Sequence, residues 1–186
     1  MKFNKIFVKY LFNALVILSG QFVYNPIVHA ANYSVLEEQR TDVFSFSPTL
    51  DQGRKSSDQF FSVENTKKEK YLLAFDHLKK NQLEKANAII VELLKLNPLE
   101  VRFINLNALL NELQDNAAAA KQNYKKALKQ DGDNLTAILG LAKLDLQGGN
   151  VEQAKKYVDK AFQINDRSLN VYFLYLTYQY QLNKYL

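Results

Sequence analysis

The sequence predicts an all-α fold, a solenoid of helical hairpins. Three observations predict it: a period of 34 residues that holds without gaps from Lys67 onward, small residues at fixed places of that period, and helix-boundary signals where hairpins require them. No strand pattern competes. A chain of 186 residues is a soft prior for one domain, large enough to bury a core without covalent staples.

The first thirty residues read as a secretory signal. A basic stretch ends at Lys9, an apolar stretch runs through Leu11-Phe12 and Ala14-Leu15-Val16-Ile17-Leu18, and Pro26 precedes the small-residue site Val28-His29-Ala30. Cleavage after Ala30 leaves Ala31 first and implies export to the periplasm or cell envelope of a bacterium, or secretion. The rival is an uncleaved membrane anchor, since no charge occurs between Lys9 and Glu37. Asn13, Ser19, Gly20, Gln21 and Asn25 interrupt that run, whereas a spanning helix takes about 20 predominantly apolar residues.

The signal also carries much of the basic charge. Without Lys2, Lys5 and Lys9, 21 basic residues stand against 19 acidic ones, so the charge balance gives no reason to expect nucleic acid as a partner. Cysteine is absent, which excludes disulfides, thiolate catalysis, cysteine-held metals and a lipidated N-terminal cysteine.

Residues 31–66 read as a polar linker, rich in Ser, Asp, Gln and Thr, with turn signals at Ser47-Pro48 and Asp51-Gln52-Gly53. Two aromatic islands, Phe44-Ser45-Phe46 and Phe60-Phe61, are more apolar than a spacer needs. They are expected either to tuck against the first repeat or to dock on another protein.

The repeat begins at Lys67, with windows 67–100, 101–134, 135–168 and a partial 169–186. The eighth place reads Ala74, Ala108 and Ala142, and the twentieth Ala86, Ala120 and Ala154. The twenty-seventh reads Leu93, Ala127 and Ala161, and the twenty-fourth Ile90, Tyr124 and Val158. Small residues at two places let a pair of antiparallel helices approach closely, and larger apolar residues fill the space beside them. Thr66 with Glu69 forms a candidate capping box for the first helix, and Asn97-Pro98 a candidate N-cap and first-turn proline for the second hairpin. Gly148-Gly149-Asn150 marks the turn inside the third window, and Asp131-Gly132-Asp133-Asn134 the break before it. The run Ala117 to Ala120 opens a second helix.

The period, with Leu73-Ala74, Ala86, Ile90 and Pro98 in the first window and Leu141-Ala142, Gly149, Ala154 and Ala161 in the third, resembles the tetratricopeptide repeat. The resemblance covers about Lys67 to Leu186. Lys70 stands where the family prefers a large apolar residue, Asn107 where it prefers Leu, and Gly132 and Asp166 where it prefers Pro. The fold implied is a solenoid of three hairpins plus a final unpaired helix. The function implied is the holding of a protein or peptide partner in a groove lined by first helices.

The resemblance places the second, fifth, ninth and twelfth residues of each window on that groove. These are Lys68, Tyr71, Phe75 and Leu78, then Arg102, Asn105, Leu109 and Glu112, then Thr136, Leu139, Lys143 and Leu146. The mixture suits an extended or helical segment docked by apolar contacts with a few polar anchors; the alternative for Tyr71, Phe75 and Leu109 is packing between hairpins. A carboxylate clamp of the kind some members use is not expected, because Phe75 and Leu106 occupy its asparagine places.

The last helix, Leu169 to about Lys184, is tyrosine-rich, with Tyr172, Tyr175, Tyr178 and Tyr180. A terminal solenoid unit wants a polar outer face. Three readings stay open: a longer protein continues the stack, the helix packs on a second copy, or its hydroxyls cap the solenoid.

Catalytic chemistry is not expected. Beyond the signal the single histidine is His77, no serine stands in a nucleophile elbow, no glycine-rich loop would cradle phosphate, and Glu37-Glu38 lie where nothing desolvates them. The lysine pairs, Lys79-Lys80 and Lys125-Lys126 among them, read as solvated faces, and no metal or cofactor is implied. The expectation is an exported scaffold that assists assembly of an envelope, pilus or secretion complex. The alternatives are the N-terminal part of a longer exopolysaccharide or surface-protein exporter, and a self-associating structural protein.

Overall fold

The computed structural model describes residues 54–184, with side chains from 64 to 183. The signal 1–30, the linker as far as residue 53 and the side chains of Phe60 and Phe61 lie outside the described residues. Seven helices follow in order: α1 Arg54–Lys79, α2 Leu83–Leu96, α3 Val101–Leu113, α4 Ala117–Gln130, α5 Leu135–Gln147, α6 Val151–Ile164 and α7 Leu169–Lys184. No strand occurs among the described residues. Each helix packs mainly on its sequence neighbours, and α1 also touches α3 as α5 touches α7, so the hairpins stack in a row.

The period of 34 is written into the backbone. Asn81, Asp115 and Gly149 share one place in successive windows and take φ values of 55°, 58° and 75°. The following amides, of Gln82, Asn116 and Asn150, donate to the carbonyls of His77, Asn111 and Asp145, each at 2.8 Å. A left-handed residue closed by such a bond ends a helix and reverses the chain, which turns each first helix into its second. Second helices end alike: the amides of Asn97, Asp131 and Asn165 donate to Leu93, Ala127 and Ala161.

Successive hairpins are also fastened by a recurring lysine. Lys126 Nζ donates to the Pro98 carbonyl at 3.1 Å and Lys160 Nζ to the Gly132 carbonyl at 2.7 Å, the same two places one window apart. In the first window Glu92 stands at that lysine's place, and it pairs with Lys70 instead.

The small-residue places perform the close packing expected of them. Ala74 with Ala86, Ala108 with Ala120 and Ala142 with Ala154 are all fully buried within their clusters, beside Ile90, Tyr124 and Val158. Gly140 extends the theme, because a Cβ there would collide with the Tyr124 ring.

Two boundary expectations are corrected. The first helix starts at Arg54, so residues 54–66 are helix rather than linker, and Thr66 and Glu69 lie inside α1 instead of capping it. Nothing between Arg54 and Thr66 breaks a helix, since Gly and Pro are both absent there. Asn97 is the C-cap of α2, not an N-cap; Pro98 sits in the turn, and α3 begins only at Val101 after Glu100. The helix starts at Ala117 and Leu169 agree with expectation.

Candidate functional site

Helical geometry gathers the places read as a groove. At 3.6 residues per turn, places two, five and nine fall roughly 60–120° around the helix from the alanine of place eight, which meets the second helix. They form a stripe along α1, α3 and α5; α1 packs beside α3, and side-chain bridges link α3 to α5.

Their surroundings differ from those of an open, solvated groove. Tyr71, Phe75, Leu78, Asn105, Leu109, Thr136, Leu139 and Leu146 are all buried. Lys68 and Arg102 are half-buried, as are Glu112 and Lys143. Tyr71 packs against Phe103, with ring centroids 6.4 Å apart, and Lys79 Nζ lies 5.5 Å from the Phe75 ring centre. In the first window the stripe is therefore an aromatic wall with cations at its edge.

The second and third windows are joined by polar bridges. Asn105 Nδ2 on α3 donates to Asn134 Oδ1 at 2.9 Å, and that same oxygen accepts the Ala137 amide at 3.0 Å as the N-cap of α5. Further along, the Lys143 ammonium of α5 pairs with the Glu112 carboxylate of α3, whose other oxygen accepts the Tyr124 hydroxyl at 2.6 Å. Lys121 and Asp145 make a parallel pair at 2.6 Å between α4 and α5.

Burial leaves its mark on these groups. It pushes the Lys143 ammonium down to about 7 and the Tyr124 phenol well above its ordinary range. At the entrance to α3, desolvation is the largest single influence on Glu100 and raises its pKa, but the 2.8 Å hydrogen bond from Arg102 Nε, the Arg102 charge and backbone amide, and the Lys67 charge together outweigh it and hold the carboxyl below its ordinary value.

Two atoms on the stripe are left over. Asn105 Oδ1 and Thr136 Oγ1 are buried with no hydrogen-bond partner among the described residues. A buried polar atom without a partner costs about 1–3 kcal/mol, so such atoms mark places where a partner is to be sought. Lys121 and Asp145 escaped the sequence reading, which placed Tyr124 only as a packing residue and Asn134 only in the break before the third window. Asn134 alone had a local signal, since it stands immediately before the third window at an N-cap place.

His77 is half-buried with Nδ1 2.6 Å from Gln82 Oε1, which ties the end of α1 to the start of α2. No group of three or more potential metal ligands occurs among the described residues, and no helix there is long and apolar enough to cross a membrane.

At the far end, α7 buries Val171, Leu174 and Tyr178 against α5 and α6. Tyr172 and Tyr175 set their rings edge-on to Phe162, with centroids 5.5 and 5.3 Å away, while Leu169 and Leu176 face solvent.

Residues 113–172 match a family model described as tetratricopeptide repeat, a stretch that takes in α4, α5 and α6 and reaches into α7. The comparison with curated proteins finds no match. An ungapped 34-residue period, stacked antiparallel hairpins with alanines at their crossings and this match agree: the hairpins of residues 113–172 are tetratricopeptide repeats.

Proposed function

We propose that this chain is an exported scaffold that holds a segment of another protein on the stripe formed by α1, α3 and α5, in the assembly of an envelope, pilus or secretion complex. The tetratricopeptide repeat match over residues 113–172 supports a scaffold for protein–protein interaction. The proposal adds where it works and which face it uses.

The observation that carries the choice of face is a pair of buried polar atoms without a hydrogen-bond partner among the described residues, Asn105 Oδ1 and Thr136 Oγ1, on successive first helices. An extended or helical segment brings backbone N–H groups to such atoms and apolar side chains to the wall beside them. Export is supported by the order of basic, apolar and small residues in positions 1–30.

The test is capture of partners from envelope extract by the parent chain and by a Lys68→Glu, Arg102→Gln variant, with Val91→Glu on the exposed side of α2 as control. Both changed residues are half-buried, so neither substitution inserts charge into the core. Capture should fall about tenfold in the paired variant, equivalent to about 1.4 kcal/mol, and stay at the parent level in the control. Equal capture by all three would contradict the chosen face.

A second reading, self-association through α7, is favoured by one observation: Leu169, Tyr172 and Leu176 are exposed on the same helix. Sedimentation of the parent and a Leu176→Lys variant separates the two readings, because a dimer that dissociates in the variant belongs to the second.

A further inference from the structure

We propose that α7 is a dimerisation helix, which packs antiparallel on α7 of a second copy across a two-fold axis at Leu176. This rests on the self-association reading above and adds the face, the orientation and the stoichiometry.

The period marks out the face. Places four and eight of the second and third windows turn toward the second helix of their own hairpin. Ile104 and Ala108 lie buried with Ala120 and Tyr124 of α4, and Ile138 and Ala142 with Ala154 and Val158 of α6. In α7 those places hold Tyr172 and Leu176, which are 49% and 56% exposed, and Leu169 is 60% exposed. Positions i, i+3 and i+7 share one face of a helix, so these three large side chains form a continuous strip open to solvent.

The side chains on the strip select its occupant. Alanine at place eight lets the helices of a hairpin approach closely. Leu176 stands there in α7 and holds any partner further off, so the strip is not shaped for the close crossing that α4 and α6 make. A second α7 meets it with side chains of the same size, which interdigitate. Leu176 is the eighth of the 16 residues of α7, so an axis at that residue overlaps the two helices along their full length, about 24 Å at 1.5 Å per residue. Tyr172 then faces Tyr180 of the second copy.

Charge agrees with this pairing. From Leu169 to Asn183 the helix has no charged side chain, whereas every other described helix carries some. A two-fold contact therefore brings no like charges together and desolvates no ion. The antiparallel sense also sets the N-terminus of each helix beside the C-terminus of the other, which the helix dipoles favour. A strip about 24 Å long and about 10 Å wide is smaller than a stable interface, which buries roughly 1,200–2,000 Å² in total, so the dimer is weak, with a dissociation constant in the micromolar range.

The chain has no cysteine, so single cysteines report on the geometry. Leu176→Cys, on the axis, should oxidise to a disulfide-linked dimer. Tyr172→Cys lies four residues from the axis, which separates the two copies' residues by about 12 Å along the helices, beyond the roughly 7 Å that the Cα atoms of a disulfide span. Its cross-linking should be at least about tenfold slower. Sedimentation equilibrium of the parent should show monomer and dimer and nothing larger. Leu176→Lys should raise the dissociation constant at least about tenfold by setting two ammonium groups face to face, and Leu73→Lys, at an exposed residue of α1, should leave it unchanged. A parent that stays monomeric at about 1 mM would overturn the proposal together with the self-association reading. A dimer in which Tyr172→Cys cross-links as fast as Leu176→Cys would keep self-association and overturn the antiparallel geometry. Assemblies that grow beyond two copies, or dissociation by Leu73→Lys, would mean head-to-tail stacking and overturn it likewise.

Discussion

Lys143 carries the sharpest consequence of burying polar groups on a binding stripe. Its ammonium titrates near 7 in the fold because burial disfavours the charged form, against about 10.4 in an unfolded chain. Between those values the unfolded chain binds a proton that the folded one lacks, so stability rises with pH across the window. Below pH 7 both states are protonated and the penalty is complete. The raised Tyr124 phenol acts oppositely, but only above about pH 10, where the unfolded tyrosine ionises first. Urea midpoints should therefore be higher at pH 9 than at pH 7 in the parent, and Lys143→Met should remove the slope; a flat parent profile would contradict the buried ammonium. Gly140 gives a second test. The Tyr124 ring has its hydroxyl held on Glu112 and cannot swing aside, so Gly140→Ala should cost about 1–3 kcal/mol in urea denaturation. Place in the period located Lys143 and Glu112 on the stripe, but it did not reveal that they pair. That contact depends on how far α3 and α5 are offset, which sequence spacing along one helix does not encode.

At the scale of elements, the repeating turn is the feature most open to measurement. Asn81, Asp115 and Gly149 hold one left-handed place, where glycine has no Cβ conflict and asparagine or aspartate tolerates the strain. Asp115→Gly should leave stability unchanged or raise it by up to about 1 kcal/mol, whereas Gly149→Ala should lower it by about 1 kcal/mol, both read from thermal midpoints. A loss of stability on Asp115→Gly, or no loss on Gly149→Ala, would show that the turns are not equivalent. Gly149 was legible because glycine announces a turn. Asn81 and Asp115 carry no such signal and show themselves as turn residues only in the backbone. The start of α1 was not legible: residues 54–66 are polar and lack a clear apolar stripe, so composition pointed to linker while the backbone continues as helix. Asn97-Pro98 misled for a related reason, since a proline after a polar residue suits both a turn and a first helical position.

For the whole molecule, the stack of hairpins followed from the sequence because each window repeats one supersecondary unit and buries its apolar face on the next. Alanines at the crossings and lysines that reach back to the preceding turn recur at fixed places, so local and global signals agree. The binding face was legible as a set of places and not as an environment, because burial of the stripe depends on everything that packs along it. The central claim is that a partner segment lies on α1, α3 and α5 rather than on the second helices. Photo-crosslinking tests this most directly, with a photoreactive residue introduced singly at Lys68, Arg102, Val91 or Leu96 and the chain exposed to envelope extract. The account predicts the same discrete adduct from positions 68 and 102 and none from 91 or 96; adducts from the second-helix positions alone would contradict it.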